Sequence, residues 1–352
     1  MMKITVGIAL TLIGTSLPGV FSWGGSGHQI VGMVAQNYLT PKAAAAISSI
    51  LDATYSGSLG PAATWADAVK HTKGYTWSAP LHFADTNDSP PDSCGYGRKN
   101  GLIRRGAFCE IRFVRFLMIM SSLLQWIPVI AHLKVAWFPP SRLCNPTNSN
   151  AVKDEALKFI THFLGDITQP LHVCARDLGG NKDKATFDGK TTLNLHSVWY
   201  VILIHEISNK LSGMLDIIHS YMTNTYHNRD TSIIEKHMTN DYSGSLANYV
   251  QGLIKSIDSG EFKSLKDQWS SCVDPTAVGT TGTGNLNCAI VWAQDTNGYD
   301  CGSEVWKNFL SDTTADLGGS YYKAAVPIVD QQLAKGTLIS ALSPTLQILP
   351  ND

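Results

Sequence analysis

The sequence predicts a mainly α fold in a single domain. Apolar residues recur at helical spacing along much of the chain, and no strand alternation persists beyond a few residues. No internal repeat and no Pro- or Ser-rich linker divides it. The 352 residues, 44% apolar and 16% charged, supply ample material for a buried core and exclude a disordered chain. With 27 basic against 28 acidic side chains, a broad basic face for duplex DNA or for an anionic membrane is also excluded.

The first 22 residues have the form of a secretory signal peptide. Lys3 precedes an apolar run, Ile4 to Val20, and Val20 and Ser22 occupy the small-residue positions before a cleavage site. The run is shorter than the ~20 residues of a spanning helix and contains Gly14 and Pro18, so an uncleaved anchor is the weaker alternative. Cleavage leaves Trp23 as the first residue of a secreted chain and removes Lys3, which makes the balance −2. Secretion permits disulfides among the seven cysteines. Cys272 and Cys288 flank a Gly/Thr-rich loop whose local closure is the natural pairing. The other five leave an odd count, so at least one thiol is free or paired outside the chain.

The helices follow in order. Gln29–Tyr38 has apolar residues at helical spacing, and Thr40-Pro41 caps and opens a second helix through Leu51. Residues 151–167, 196–222, 245–256 and 303–311 carry the same signal, as does 320–335, closed by Gly336 and kinked at Pro327. Residues 98–144 do not match their surroundings. Six Arg or Lys in 98–115 precede Phe116–Ile130, of which only Ser121, Ser122 and Gln125 are polar. Pro128, His132 and Lys134 leave it too short for a membrane span, so it is either a buried helix or sequence foreign to the fold.

Five short contexts concentrate His and Asp. They are Gly27-His28; Trp65-Ala66-Asp67 with Leu81-His82-Phe83-Ala84-Asp85; His162-Phe163-Leu164-Gly165-Asp166; Gln169-Pro170-Leu171-His172; and Asn194-Leu195-His196. His162 and Asp166, four apart, leave one helical face as two ligands of one metal must. Pro170 lets His172 turn back toward them, and imidazole with carboxylate suits Zn²⁺. A secreted zinc site is therefore expected.

These stretches resemble the zinc-dependent single-strand-specific nucleases of fungi and plants, the mung-bean-nuclease type, relatives of the zinc-dependent phospholipases C. The resemblance runs from WGGSGHQIVGMVAQNYL at 23–39 through WADAVK, LHFAD, HFLGDITQPLH, GGN at 179–181, TFDG and NLHSVW to WAQD near 292. It implies a helical fold with long loops around three zinc ions. One would be held by the α-amine and carbonyl of Trp23 with His28. A second would be held by Asp67, His82 and His162, with Asp166 bridging the two. The third would be held by His172 and His196.

It further implies that Asp67 and Asp166 serve catalysis, that Phe83 stacks on a base and that Asp85 accepts from the base edge. Leu178 would form the opposite wall, Asn181 would reach phosphate or sugar, and Lys70 would contact phosphate. Cys94 and Cys301 would be paired. The implied activity is hydrolysis of single-stranded DNA and RNA to 5′-phosphates, with 3′-nucleotidase action, by a monomer without membrane anchoring. Zinc rather than a basic surface would then supply the positive charge. The chain departs from the pattern at Tyr200, where a carboxylate is expected for the third ion, and within 98–144, where the family's glycosylated helix is not recognisable. The one sequon, Asn87-Asp88-Ser89, precedes Pro90. A weakened descendant that only binds zinc and nucleic acid, or a related phospholipase C, are the alternatives.

Overall fold

Helix α1 (Gly24–Asn37) opens the described chain and carries Ile30, Val31 and Val34 fully buried on one face. The structure, a computed structural model, describes residues 23–86, 88–95, 147–199, 232–270 and 286–342. Helix α2 (Pro41–Ile50) begins where Thr40, in extended conformation, accepts a hydrogen bond from Ala43 N, and Pro41 pre-sets the first turn. Two short helices follow, α3 (Leu59–Ala62) and α4 (Trp65–Val69), then the long α5 (Asn150–Asp166). A two-stranded antiparallel hairpin, β1 (Lys184–Phe187) and β2 (Lys190–Asn194), leads into α6 (Leu195–Val198). The remaining principal helices are α7 (Ile233–Tyr242), α8 (Leu246–Asp258), α9 (Leu286–Gly298) and α10 (Ser320–Leu342).

The main core lies between α1, α8 and α10, where Ile30 and Val34 meet a layer containing Tyr249, Leu253, Val329 and Leu333. A second cluster joins α2 and α3 to α5 through Ile47, Ile50, Leu59, Leu157 and Ile160. Each such side chain contributes about 1.5–3 kcal/mol on burial. Together the two clusters hold α1 and α5 in fixed relation, and the functional residues occupy their facing ends.

The mainly α prediction holds, and several of its details change. Gly336 does not close the last helix. The helix passes Thr168 there, and a Cβ on residue 336 would lie 2.8 Å from Thr168 Oγ1. Close approach of the Thr168 side chain to the helix backbone outweighs the roughly 1 kcal/mol that mid-helix glycine costs. The hairpin was not anticipated, because strands of 4 and 5 residues are too short for alternation to register. Its turn is nevertheless written in Asp188-Gly189, both at positive φ (47° and 75°), a pair suited to a tight hairpin. Helix α9 was missed, and so was α7. Its mark is Ser232, whose side chain accepts from Glu235 N at the N-terminus. The segment 303–311 is helical but begins with a π-helical turn over Ser303–Lys307. Of the helix expected over 196–222, residues 196–198 fall in α6, and most of the rest lies outside the described residues, as does most of the atypical 98–144 segment.

Candidate metal centre

The C-terminal turn of α5 is the centre of the site. His162 and Asp166 sit on one face of it, buried, and the α1 residue His28 stacks on the His162 ring at 3.7 Å between centroids and 15° between planes. That stacking requires glycine at 165, since a Cβ there would lie 3.0 Å from His28 Nδ1. Trp23 fixes the start of α1 against the same turn. Its buried indole Nε1 donates to Gly165 O at 2.9 Å and to Thr168 Oγ1 at 3.3 Å.

Four side chains converge beside Asp166. His82 Nδ1 lies 2.8 Å from His162 Nε2, 3.3 Å from Asp166 Oδ2 and 3.4 Å from Asp67 Oδ1. His162 Nε2 lies 3.2 Å from Asp166 Oδ2 and 3.6 Å from Asp67 Oδ1. An ion held tetrahedrally at about 2.0–2.1 Å has ligand–ligand edges of about 3.3 Å, so these separations fit one metal. The proton positions agree. His162 Nδ1 donates to Ala63 O at 2.6 Å, which leaves the lone pair on Nε2, facing the cluster. Both Asp166 oxygens are buried and accept no hydrogen bond, as expected of a carboxylate shaped to face a cation. While Oδ2 faces His82 and His162, Oδ1 lies 3.4 Å from His28 Nε2. His28, Asp67 and His162 form a second group with atoms close enough to hold an ion.

His172 and His196 form a neighbouring pair, rings stacked 5.1 Å apart at 21°. His172 Nδ1 donates to His82 O at 2.6 Å and His196 Nδ1 to Gly179 O at 2.7 Å, which fixes both rings with Nε2 as the lone-pair nitrogen. The Gly179 carbonyl is aimed by four consecutive residues at positive φ: Asp177 (47°), Leu178 (59°), Gly179 (62°) and Gly180 (76°). Glycine at 179 is obligatory, because a Cβ would lie 2.1 Å from Leu171 O. Such backbone strain in non-glycine residues is sustained where the surroundings enforce it.

Burial works against charge throughout the cluster, and the mutual fields decide the outcome. Burial alone would raise Asp166 and Asp67, but His162 and its neighbours hold both carboxylates well below their usual range. Burial, then His162, pushes His28 well down, and His82 is pushed down to about 4 mainly by burial. His162 is raised despite burial because Asp166 and Asp67 face it. Anionic carboxylates beside largely neutral imidazoles are the donor set that a divalent cation requires.

The other anticipated residues fall around this centre. Lys70 is buried, with Nζ 2.7 Å from Asp67 Oδ1, rather than lying on the solvated surface. Phe83 lines a cleft with Leu81, His82, Ala84, Phe163, Asp166, Ile167 and His172. Asp85 is partly buried in the same loop. Leu178 is 51% exposed on its left-handed turn, and Asn181 Nδ2 donates to Leu178 O at 2.8 Å. Cys94 and Cys301 form a disulfide, and Cys174 is a buried free thiol. Tyr200, Asn87 and the side chains of Cys272 and Cys288 lie outside the described residues. Phe163 was not anticipated as part of the cleft. Its signal is position, since it stands three residues before Asp166 on the same helical face.

Buried carboxylates and imidazoles in a helical fold, close enough together to hold a divalent ion and set beside a small cleft, define a candidate metal-binding scaffold. The model of the family described as S1/P1 Nuclease matches residues 23–106 and 140–339. The chain belongs to the S1/P1 nuclease family and so to a class of phosphodiester-cleaving enzymes. It is 30% identical over 318 residues to nuclease S1 of Aspergillus oryzae, covering 90% of this chain and 88% of that one. It is 29% identical over 314 residues to nuclease P1 of Penicillium citrinum, covering 89% and 93%. It is 28% identical over 320 residues to endonuclease 2 of Arabidopsis thaliana, covering 91% and 88%. The family match begins at Trp23 and omits 107–139, inside the segment that looked foreign to the fold.

Proposed function

We propose that this protein is a secreted, zinc-dependent endonuclease that hydrolyses single-stranded DNA and RNA to 5′-phosphate products and removes phosphate from 3′-nucleotides. The convergence of Asp67, His82, His162 and Asp166 at 2.8–3.6 Å carries the reading. Those four side chains would hold one ion, and Asp166 would bridge to a second held by His28 and by the amine and carbonyl of Trp23 once cleavage exposes them. His172 and His196 would hold a third. Bound zinc would supply Lewis-acid stabilisation of the phosphate and activation of water.

The chain's own groups do the rest. Asp67 orients the attacking water, and Lys70, paired with Asp67, sets a cation beside the phosphate. Phe83 offers a stacking face with Asp85 accepting from the base edge, Leu178 walls the opposite side, and Asn181 reaches phosphate or sugar. Stacking requires an unpaired base, which favours single strands. The test compares hydrolysis of single-stranded DNA, duplex DNA, a 3′-nucleotide and phosphatidylcholine, before and after chelation. Chelator-sensitive cleavage that favours single strands is expected. Cleavage of the lipid alone, or activity indifferent to chelation, would refute the assignment.

Tyr200 supports a second reading, a weakened descendant. A phenol must lose a proton of pKa about 10 to serve as an anionic ligand, so the third ion would bind poorly. Three zinc ions and full activity in the unaltered protein would remove this reading. Activity that rises only in Tyr200→Asp would establish it. Mass spectrometry of the secreted protein tests two further proposals: an N-terminus at Trp23, and the absence of peptides spanning 116–138.

A further inference from the structure

The loop from Phe83 to Gly95, which carries Phe83 and Asp85, is joined to the metal-ligand segment at several points, among them Arg176 Nη1 donating to Pro90 O at 2.6 Å, and one buried side chain outside the site links it at residues 88 and 95 to that segment. Asn297, at the end of α9, is 1% exposed. Its Nδ2 donates to Asp88 Oδ2 at 2.7 Å and to Val173 O at 3.1 Å, and Gly95 N donates to its Oδ1 at 3.2 Å. Asp88 Oδ1 in turn accepts from Ala175 N at 3.2 Å. These bonds form a ring that joins the loop at residues 88 and 95 to Val173 and Ala175, which closely follow His172. Nearby, Ala84 N donates to His172 O at 2.7 Å, and the Cys94–Cys301 disulfide ties the loop end to the turn after α9.

We infer that Asn297 is a positioning residue that clamps the base-stacking loop to the segment bearing His172, and so sets the distance between the base and the metal centre. The inference rests on the nuclease reading above. Asn297 suits the task chemically because a primary amide supplies two donors and an acceptor in one plane, and both kinds are used. Aspartate would keep the acceptor but set a carboxylate against Asp88. Asp300, whose Oδ2 lies 3.5 Å from Asn297 Nδ2 and whose Oδ1 accepts from Trp306 Nε1 at 3.1 Å, is pushed well up by burial and then by Asp88. Nothing in this ring touches the reacting atoms. Its effect is on where the stacking face lies, and weaker stacking of the base lowers affinity for the strand rather than the rate of the chemical step.

The test uses the full secreted protein with Asn297→Asp and the exchanged pair Asp88→Asn/Asn297→Asp, which restores one donor opposite one carboxylate at unchanged net charge. Zinc per chain, hydrolysis of single-stranded DNA, hydrolysis of the base-less diester bis-p-nitrophenyl phosphate, and hydrogen exchange of the Gly95 and Ala175 amides are measured together. For Asn297→Asp, KM for single-stranded DNA should rise about tenfold with kcat within about twofold. Zinc content and cleavage of the base-less diester should stay at wild-type levels. The exchanged pair should recover most of the loss. An equal fall on both substrates, or an unchanged KM for DNA, overturns the clamp. A wild type inactive on both substrates would sink the nuclease reading instead. Exchange then decides the clamp: faster exchange at Gly95 and Ala175 in Asn297→Asp, reversed in the exchanged pair, supports it, and unchanged exchange overturns it.

Discussion

Two helices of this protein carry the same pattern, a histidine followed four residues later by an aspartate, and they use it in opposite ways. In α5, His162 spends Nδ1 on the Ala63 carbonyl and turns Nε2 toward His82, Asp67 and Asp166. In α7, His237 bonds a carboxylate through each ring nitrogen, Asp241 Oδ2 at 2.6 Å and Asp330 Oδ2 at 3.1 Å. Tyr249 donates to the other Asp330 oxygen, and the Tyr242 and Tyr249 rings meet the imidazole edge-on at 5.2 and 5.1 Å. Two carboxylates on two ring nitrogens require an imidazolium, so the α7 cluster carries its own cation. The α5 cluster pairs Asp67 with Lys70 but leaves both Asp166 oxygens without a hydrogen bond, a donor set that can take a further cation. The spacing of His and Asp is therefore not diagnostic. The two histidines differ at Nδ1, which donates to the backbone carbonyl of Ala63 in His162 and bonds a second carboxylate in His237.

Substitutions that treat the two clusters alike sharpen this contrast. The largest effect is expected from Asp166→Asn. Zinc content should drop and single-strand cleavage should fall by more than the ~10–100-fold typical when a residue behind a metal ligand is changed. Thermal unfolding of the chelated protein should show at most a modest loss, because His162, against the effect of burial, holds the Asp166 carboxylate in its ionised form while neither of its oxygens accepts a hydrogen bond. A large loss of stability in the chelated variant would place Asp166 in a structural role.

His237→Ala should behave in the reverse way, with zinc content and cleavage retained and stability reduced by about 1–3 kcal/mol as Asp330 loses its cationic partner. Denaturant unfolding of both proteins reads this out. The pH dependence of unfolding is a third test. Burial works to lower His237, but Asp330 and Asp241 raise it above the value of the unfolded chain. Its contribution is thus complete below about pH 6.5 and lost as pH rises through the raised folded-state value. The wild type should lose stability over that interval relative to His237→Ala, and parallel profiles would contradict the imidazolium. The smallest effect is expected from Asp241→Ala, at about 0–1 kcal/mol, because that side chain is 57% exposed.

Most of the metal centre was legible in the sequence because its residues stand in short local contexts. HFLGD states a helical face, and the proline after it states the turn that returns His172. Residues whose roles depend on distant partners were not legible. Asn297 has no local signal at all, since its partners are Asp88, Gly95 and Val173. Gly336 looked like a helix end because its actual reason, the passing Thr168 side chain, is 168 positions away. The short hairpin and α7 failed for lack of periodicity, although Asp188-Gly189 and Ser232 with Glu235 mark their ends.

Quantifying zinc in the purified protein, alongside Asp166→Asn and His237→Ala, tests the central claim most directly. More than one ion per wild-type chain, a clear loss in Asp166→Asn and wild-type content in His237→Ala is the predicted result. A wild type that holds no zinc, or an Asp166→Asn protein that holds as much as the wild type, would contradict the assignment of α5 as the metal-binding helix.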